Sequence, residues 1–330
     1  ERSFIAVQCH EDGLIQTVNA RSGLAQASRK LIPPPHLVTM SPEEDFLLLA
    51  LPESVRLMTL DLSDIACLPV EGGKPLSACF FGPNGRTLAV GCQGGYVGLM
   101  DNFSSETASF ASFNIHEDVL SIADEDDGET LLLTTPKSAV RFRISDMQMV
   151  SHHDLVSSAP AALAASTKNN VFFTDGVSLH HGRIMVPPEE EGGHELKSIE
   201  EEISKLLPGA ECVVCLQCLN ADEALTLCMM EAPSSSSSSS ITRLQVARVK
   251  VSNGALTASS LRSVELATEE CNGILSAGKG IADFVCVTTN RRILLLDSDV
   301  SVVKPESTAD EPQQPSPEES PPAANDEEGE

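Results

Sequence analysis

The sequence contains no tryptophan and a single tyrosine, Tyr96, and aromatic residues make up only 4% of its 330 positions. Large rings cannot anchor the interior, so any core must be built from aliphatic side chains. Basic residues are scarce too: 22 Lys and Arg stand against 48 Asp and Glu, for a net charge of −26. Such a surface repels phosphate backbones, and no direct nucleic-acid contact is expected. No apolar run reaches the ~20 residues that span a bilayer, so no membrane insertion is expected within this chain. The first residue is Glu1, not Met, and no signal-peptide pattern follows it, so a fragment of a longer protein is expected; the unpaired cysteines, considered next, give an expected location inside the cell, cytoplasmic or nuclear. The ten cysteines are too sparse for a disulfide scaffold, and nine of them sit in or beside apolar runs. That is the setting of buried free thiols.

What the chain does have is the composition of a globular protein, 41% hydrophobic and 21% charged, and a repeat. A short apolar run, a turn and a second run of alternating type recur along it. The first runs begin at Phe4, Phe46, Leu88, Leu131, Val171, Leu225 and Phe284, at spacings of 42, 42, 43, 40, 54 and 59 residues. The third repeat shows the order. Residues 76–81 read as an outer apolar strand, Gly82-Pro83-Asn84-Gly85 as a turn, and residues 86–92 as a buried strand. Gln93-Gly94-Gly95 follows as a tight turn and residues 96–101 as a third strand. Asn-Gly and Gly-Gly pairs supply the positive φ that short hairpins need. Strands this short, with turns this frequent, predict an all-β chain.

The stretch from Ala78 to Asp101 resembles a WD40 repeat, with Met100-Asp101 in the place of the usual Trp-Asp pair. Repeats one, two, four and seven fit the same template, and five and six fit it loosely. The family's repeat of ~40–45 residues matches the first four spacings. No repeat here has Trp before Asp, and no Gly-His pair opens a repeat. The resemblance implies a divergent WD40-like propeller of seven blades over residues 1–304, held by aliphatic packing in place of the family's Trp–His–Ser–Asp network. Repeat one starts at its second strand and repeat seven reads as nearly complete, so an outer strand N-terminal to Glu1 is expected.

Two insertions account for the long spacings. Over residues 189–207, Leu196, Ile199, Ile203, Leu206 and Leu207 fall on one helical stripe, and Pro208-Gly209 supplies a stop. This predicts a short helix laid on the propeller rim or offered to a partner through Leu196, Ile199 and Ile203. Residues 231–240 hold seven consecutive serines and read as a flexible loop. From 305 to 330 there are nine acidic residues, six prolines and no basic residue, the signature of a disordered acidic tail.

The search for chemistry yields little. Cys212, Cys215 and Cys218 have the spacing of zinc ligands, but on a strand Cys215 points away from the other two, so core cysteines are expected. His152-His153 and His180-His181 read as solvent-exposed loop pairs. Asp124 to Gly128 lacks the ligand spacing of a calcium loop, and no hydrolase elbow, phosphate loop or dinucleotide fingerprint occurs. No catalytic residue, metal or cofactor is expected. Arg141 and Arg143 share a strand face, an expected contact for an acidic peptide on an otherwise acidic protein. The WD40-like resemblance implies a non-enzymatic scaffold, a subunit of a larger complex whose partners are other proteins. The alternatives are a regulator of a small GTPase, similar to the propeller-type exchange factors, or a subunit of an RNA-processing or ribosome-assembly complex.

Overall fold

The structure, a computed structural model, describes residues 5–297 apart from short internal stretches, the longest being 185–193 and 232–241. The serine loop and the acidic tail lie outside the described residues. The described strands form seven sheets: four of four strands, one of five, and a three-stranded sheet at each end of the chain. Within each sheet consecutive strands pair antiparallel, apart from the switch into the fifth strand of sheet four. Six of the apolar runs identified above begin on a strand, and the first, whose Phe4 lies outside the described residues, continues into the strand Ile5–Cys9. Examples are Phe46–Ala50, Thr87–Cys92, Thr130–Thr134 and Asn170–Thr174, the second strands of sheets two to five.

These second strands are apolar at successive positions because both of their faces are covered. Leu47 and Leu49 pack with Ile15, Leu31 and Met58 on the side of sheet one. Leu48 and Ala50, pointing the other way, pack with Val55, Leu88 and Val90 towards sheet three. The pattern repeats at Leu131 and Leu133 against Val97 and Leu99, and at Leu132 against Val171 and Phe173. Each buried Leu contributes ~1.5–3 kcal/mol. The core is therefore a series of sheet-on-sheet layers, and the arrangement is that of a β-propeller.

The opening strands of successive sheets lie against one another: Leu37–Met40 on Pro75–Phe81, then Ser121–Asp124, Leu163–Thr167, Ala210–Asn220 and Cys271–Ala277. They are the inner strands. The segment at 76–81, expected outside, belongs to this inner ring, because its Ser, Cys and Ala side chains suit close approach between neighbouring strands.

Polar groups on or beside these strands stitch one sheet to the next. His36 Nε2 donates to Pro75 O at 2.6 Å, Ser77 Oγ donates to Val119 O at 2.7 Å, and the hydroxyls of Ser121 and Ser166 meet at 2.8 Å. Cys218 Sγ donates to Ala165 O at 3.1 Å. The partners are 39, 42, 45 and 53 residues apart, about one repeat each.

The helix expected over residues 189–207 is corrected. His194–Leu196 is a short strand pairing in parallel with the edge strand Gln148–Leu155 of sheet four. Ser198–Glu202 pairs antiparallel with Ser178–Arg183 and serves as the fourth strand of sheet five. Among the described residues of the segment, helix is confined to Ile203–Leu206. Two open sheet edges offer this segment ladder hydrogen bonds with burial of the same apolar residues, which a rim helix would not match.

Candidate functional site

The predicted contact residues are in place, but their side chains are engaged. Arg141 Nε donates to Glu125 Oε2 at 2.6 Å and Arg141 Nη2 joins the same oxygen; the two side chains are 13% and 3% exposed. Glu125 directly follows the inner strand of sheet four, so the pair ties the sheet's third strand to its first. Arg143 is exposed and its Nη1 donates to Asp146 at 2.9 Å. Leu196 and Ile203 are buried, Leu196 between sheets four and five and Ile203 between five and six, while Ile199 is half-buried. Leu196, Ile199 and Ile203 thus do not line one exposed helical face.

The histidine pairs are also corrected. His153, His180 and His181 are buried on strands, not exposed in loops. The His180 ring stacks on Phe173 at 4.5 Å with both nitrogens lacking a hydrogen-bond partner. His181 lies at 4.6 Å from the Phe172 ring, and its Nε2 donates to Ala221 O at 3.1 Å. Burial holds both imidazoles below their ordinary pKa. Cys212, Cys215 and Cys218 lie on Ala210–Asn220, a strand whose pairing is bulged in three places. Burial pushes the Cys218 thiol up to about 12. Among the described residues no three His, Cys, Asp or Glu side chains gather as a metal set.

One site assembles that the sequence reading did not single out. In sheet three, Thr87–Cys92, Tyr96–Asp101 and Ser109–Asn114 are the second, third and fourth strands. The two-residue period turns Tyr96, Gly98 and Met100 to the face that looks at sheet two, and Met100 is opposite Phe110 in the register. Leu88, Val90 and Cys92 lie on the same face, and sheet two contributes Val55, Leu68 and Val70. Together they line a shallow apolar cleft between the two sheets. No charged side chain is among the lining residues.

Gly98 gives the cleft its depth. A methyl group built there would sit 3.5 Å from Phe110 Cζ and 3.7 Å from Tyr96 Cε1, ordinary van der Waals distances. Space therefore does not demand glycine, and the missing side chain leaves room between the two rings. Phe110 is 54% exposed and borders the cleft. The Cys92 thiol is fully buried, and burial raises it to about 11, so it remains protonated at neutral pH. The chemistry available here is the capture of an aliphatic or aromatic group. A mid-strand glycine beside the lone tyrosine was the sequence signal for it, but only the fold brings Val55, Leu68 and Phe110 alongside.

No protein-family model matches the chain, and no curated protein matches it. Solved structures do. A crystal structure of the Cps50 (Swd1) β-propeller domain from Myceliophteria thermophila superposes with a TM-score of 0.64 at 10% identity, covering 88% of this chain and 92% of that one. Hydrazine synthase from Kuenenia stuttgartiensis gives 0.60 at 12% identity, covering 81% and 77%. Hsv2 from Kluyvelomyces marxianus gives 0.53 at 8%, covering 80% and 82%. At these identities the likeness is one of fold.

Proposed function

We propose that the chain is a divergent WD40-like propeller of seven blades, one for each described sheet, over residues 1–304, followed by an acidic tail at 305–330. It acts as a non-enzymatic protein-interaction module inside the cell. The observation that carries this reading is the cleft between sheets two and three, where exposed Phe110, half-buried Tyr96 and Gly98 frame an apolar slot free of charged lining residues. A rigid propeller holds such a slot open without a partner, which lowers the ordering cost of binding. That the neighbours Swd1 and Hsv2 share the fold is consistent with a scaffold role, by analogy of fold alone.

The test is affinity capture with the wild-type chain and the Gly98→Leu variant side by side, compared by quantitative mass spectrometry. The leucine fills the slot from a strand position with room for its Cβ. A partner recovered in stoichiometric amount by the wild type and reduced about tenfold by the variant, a loss of ~1.4 kcal/mol, supports the reading. Identical recovery by both, with unchanged thermal unfolding, removes the cleft as the contact.

A further inference from the structure

We infer that the outer edge of sheet three is a docking strand: Ser109–Asn114 takes an uncharged, extended segment of a partner protein as a further strand of the sheet. This goes beyond the cleft, because it rests on the backbone of the edge and not on the slot beside it.

Ser109–Asn114 is the last strand of its sheet, and no described strand pairs with its far side. Ile115 N donates to Gly95 O at 2.9 Å, which fixes the alternation of the ladder. Residues 109, 111 and 113 bond inward to Tyr96–Asp101, and the N–H and C=O groups of Phe110, Ser112 and Asn114 point outward. Those three residues and Ala111 are exposed.

Open edges are guarded by charge, proline or a covering segment, and the other outermost strands here are guarded in these ways. Ala25–Lys30 has Arg29 and Lys30, Asp64–Pro69 has Asp64 and Pro69, and Ala255–Leu266 has Arg262 and Glu265. Ser198–Glu202 carries three glutamates, and Gln148–Leu155 is covered by His194–Leu196. Among the described outermost strands, Ser109–Asn114 alone has neither charge nor proline.

The chemistry of the edge selects its occupant. A row of outward N–H and C=O groups is matched by an extended backbone, as the strands of the 189–207 insertion show on sheets four and five. Phe110 and Phe113 project from opposite faces of the strand. Phe110 is 54% exposed, and Phe113 stacks on Phe142 with ring centroids 3.7 Å apart. The incoming strand therefore needs a β-branched or aromatic residue opposite each ring, three positions apart. A charge at either place would lose water and meet no partner. The adjoining strand Tyr96–Asp101 has Asp101 as its one charged residue, and Thr87 Oγ1 donates to it at 2.8 Å. A second copy is the poorer occupant: six residues of edge fall far short of the ~20–30 residues per side of a stable interface.

The test is amide exchange measured by NMR on the full chain, with and without the capped peptide Thr-Thr-Val-Thr-Thr-Val-Thr-Thr. One control peptide has glutamate for both valines. The other is N-methylated at two adjacent central residues, so that neither of its edges can pair. Saturating valine peptide should slow exchange at Phe110, Ser112 and Asn114 by at least about tenfold, with much less change at Ala111 and Phe113, which already bond inward. Both control peptides should bind at least about tenfold more weakly. Ser112→Pro removes an outward donor and no ladder bond, so with unchanged circular dichroism it should abolish the effect. Should that variant misfold, the N-methyl peptide makes the same cut on the wild type.

If the glutamate peptide binds as well as the valine peptide, the uncharged partner is overturned. If the three amides are slow without peptide and quicken on dilution, the edge holds a second copy and the partner strand is overturned. If the valine peptide slows none of them, or if the N-methyl peptide or folded Ser112→Pro binds in full, this edge is not a docking strand.

Discussion

Leu196 lies directly on Gly182: a methyl group built on that glycine would stand 2.4 Å from Leu196 Cδ2. The bare backbone at position 182 lets the side chain of a short parallel strand from the 189–207 insertion reach the layer between sheets four and five, where it packs with Leu132, Val171 and Phe173. The insertion is thereby part of the core.

Gly182→Ala is expected to push Leu196 out of that layer at a cost of ~1–3 kcal/mol, the range for overpacking. Leu196→Ala, which empties the same place, is expected to cost ~2–5 kcal/mol. Urea unfolding measures both, and limited proteolysis of Gly182→Ala should cut first between residues 185 and 200. A variant as stable and protease-resistant as the wild type would show that Leu196 is only resting on the surface.

Arg141 and Glu125 form a nearly buried pair. Removing one partner leaves the other charge in a poorly solvated site, so Arg141→Met alone is expected to destabilise by ~3 kcal/mol or more. The double change to Arg141→Met with Glu125→Leu should recover much of that loss. Thermal unfolding of the three variants decides it, and an additive double mutant would argue against a coupled pair.

The inner ring makes an asymmetric prediction. Ser121 Oγ receives the backbone N–H of Ser166 at 3.2 Å as well as meeting its hydroxyl. Ser166→Ala loses one hydroxyl contact, ~1 kcal/mol, whereas Ser121→Ala also strips a backbone donor of this partner and is expected to cost ~1–3 kcal/mol. Equal losses in chemical unfolding would mean that the backbone contact contributes nothing.

His180 ties stability to pH. It is fully buried, and desolvation, opposed by Glu200 and Asp175, holds it below its ordinary value of 6.5. As pH falls below ~6.5 the unfolded chain takes up a proton that the folded chain refuses, so stability decreases, by at most ~1.4 kcal/mol per pH unit for this group. His181, shifted the same way, adds to the slope. His180→Leu should therefore lose less stability than the wild type between about pH 7 and about pH 5. Parallel unfolding curves for the two proteins across that range would assign the acid sensitivity elsewhere.

The repeat and the strand content were legible because they are local. An apolar run covered on both faces and ended by a short turn announces itself within a dozen residues, and the runs starting at Phe46, Leu88, Leu131 and Val171 begin within one residue of second strands. The stripe through Leu196, Ile199 and Ile203 was a local signal as well, but a misleading one: apolar residues at helical spacing also satisfy two strands once two sheet edges stand open beside them. His153, His180 and His181 were read as exposed because a polar pair beside a turn carries no sign of which face it will show.

What the sequence by itself determined is therefore the β-repeat, the aliphatic character of its core and the acidity of its surface, since each depends on neighbours along the chain or on composition. The tertiary structure alone decided which strand of each repeat runs innermost, where Leu196 and the histidines are buried, and that Val55, Leu68, Gly98 and Phe110 share one cleft. Those outcomes depend on which sheet faces which, and the distances between such residues are set by packing of whole layers rather than by the backbone preferences of any one segment.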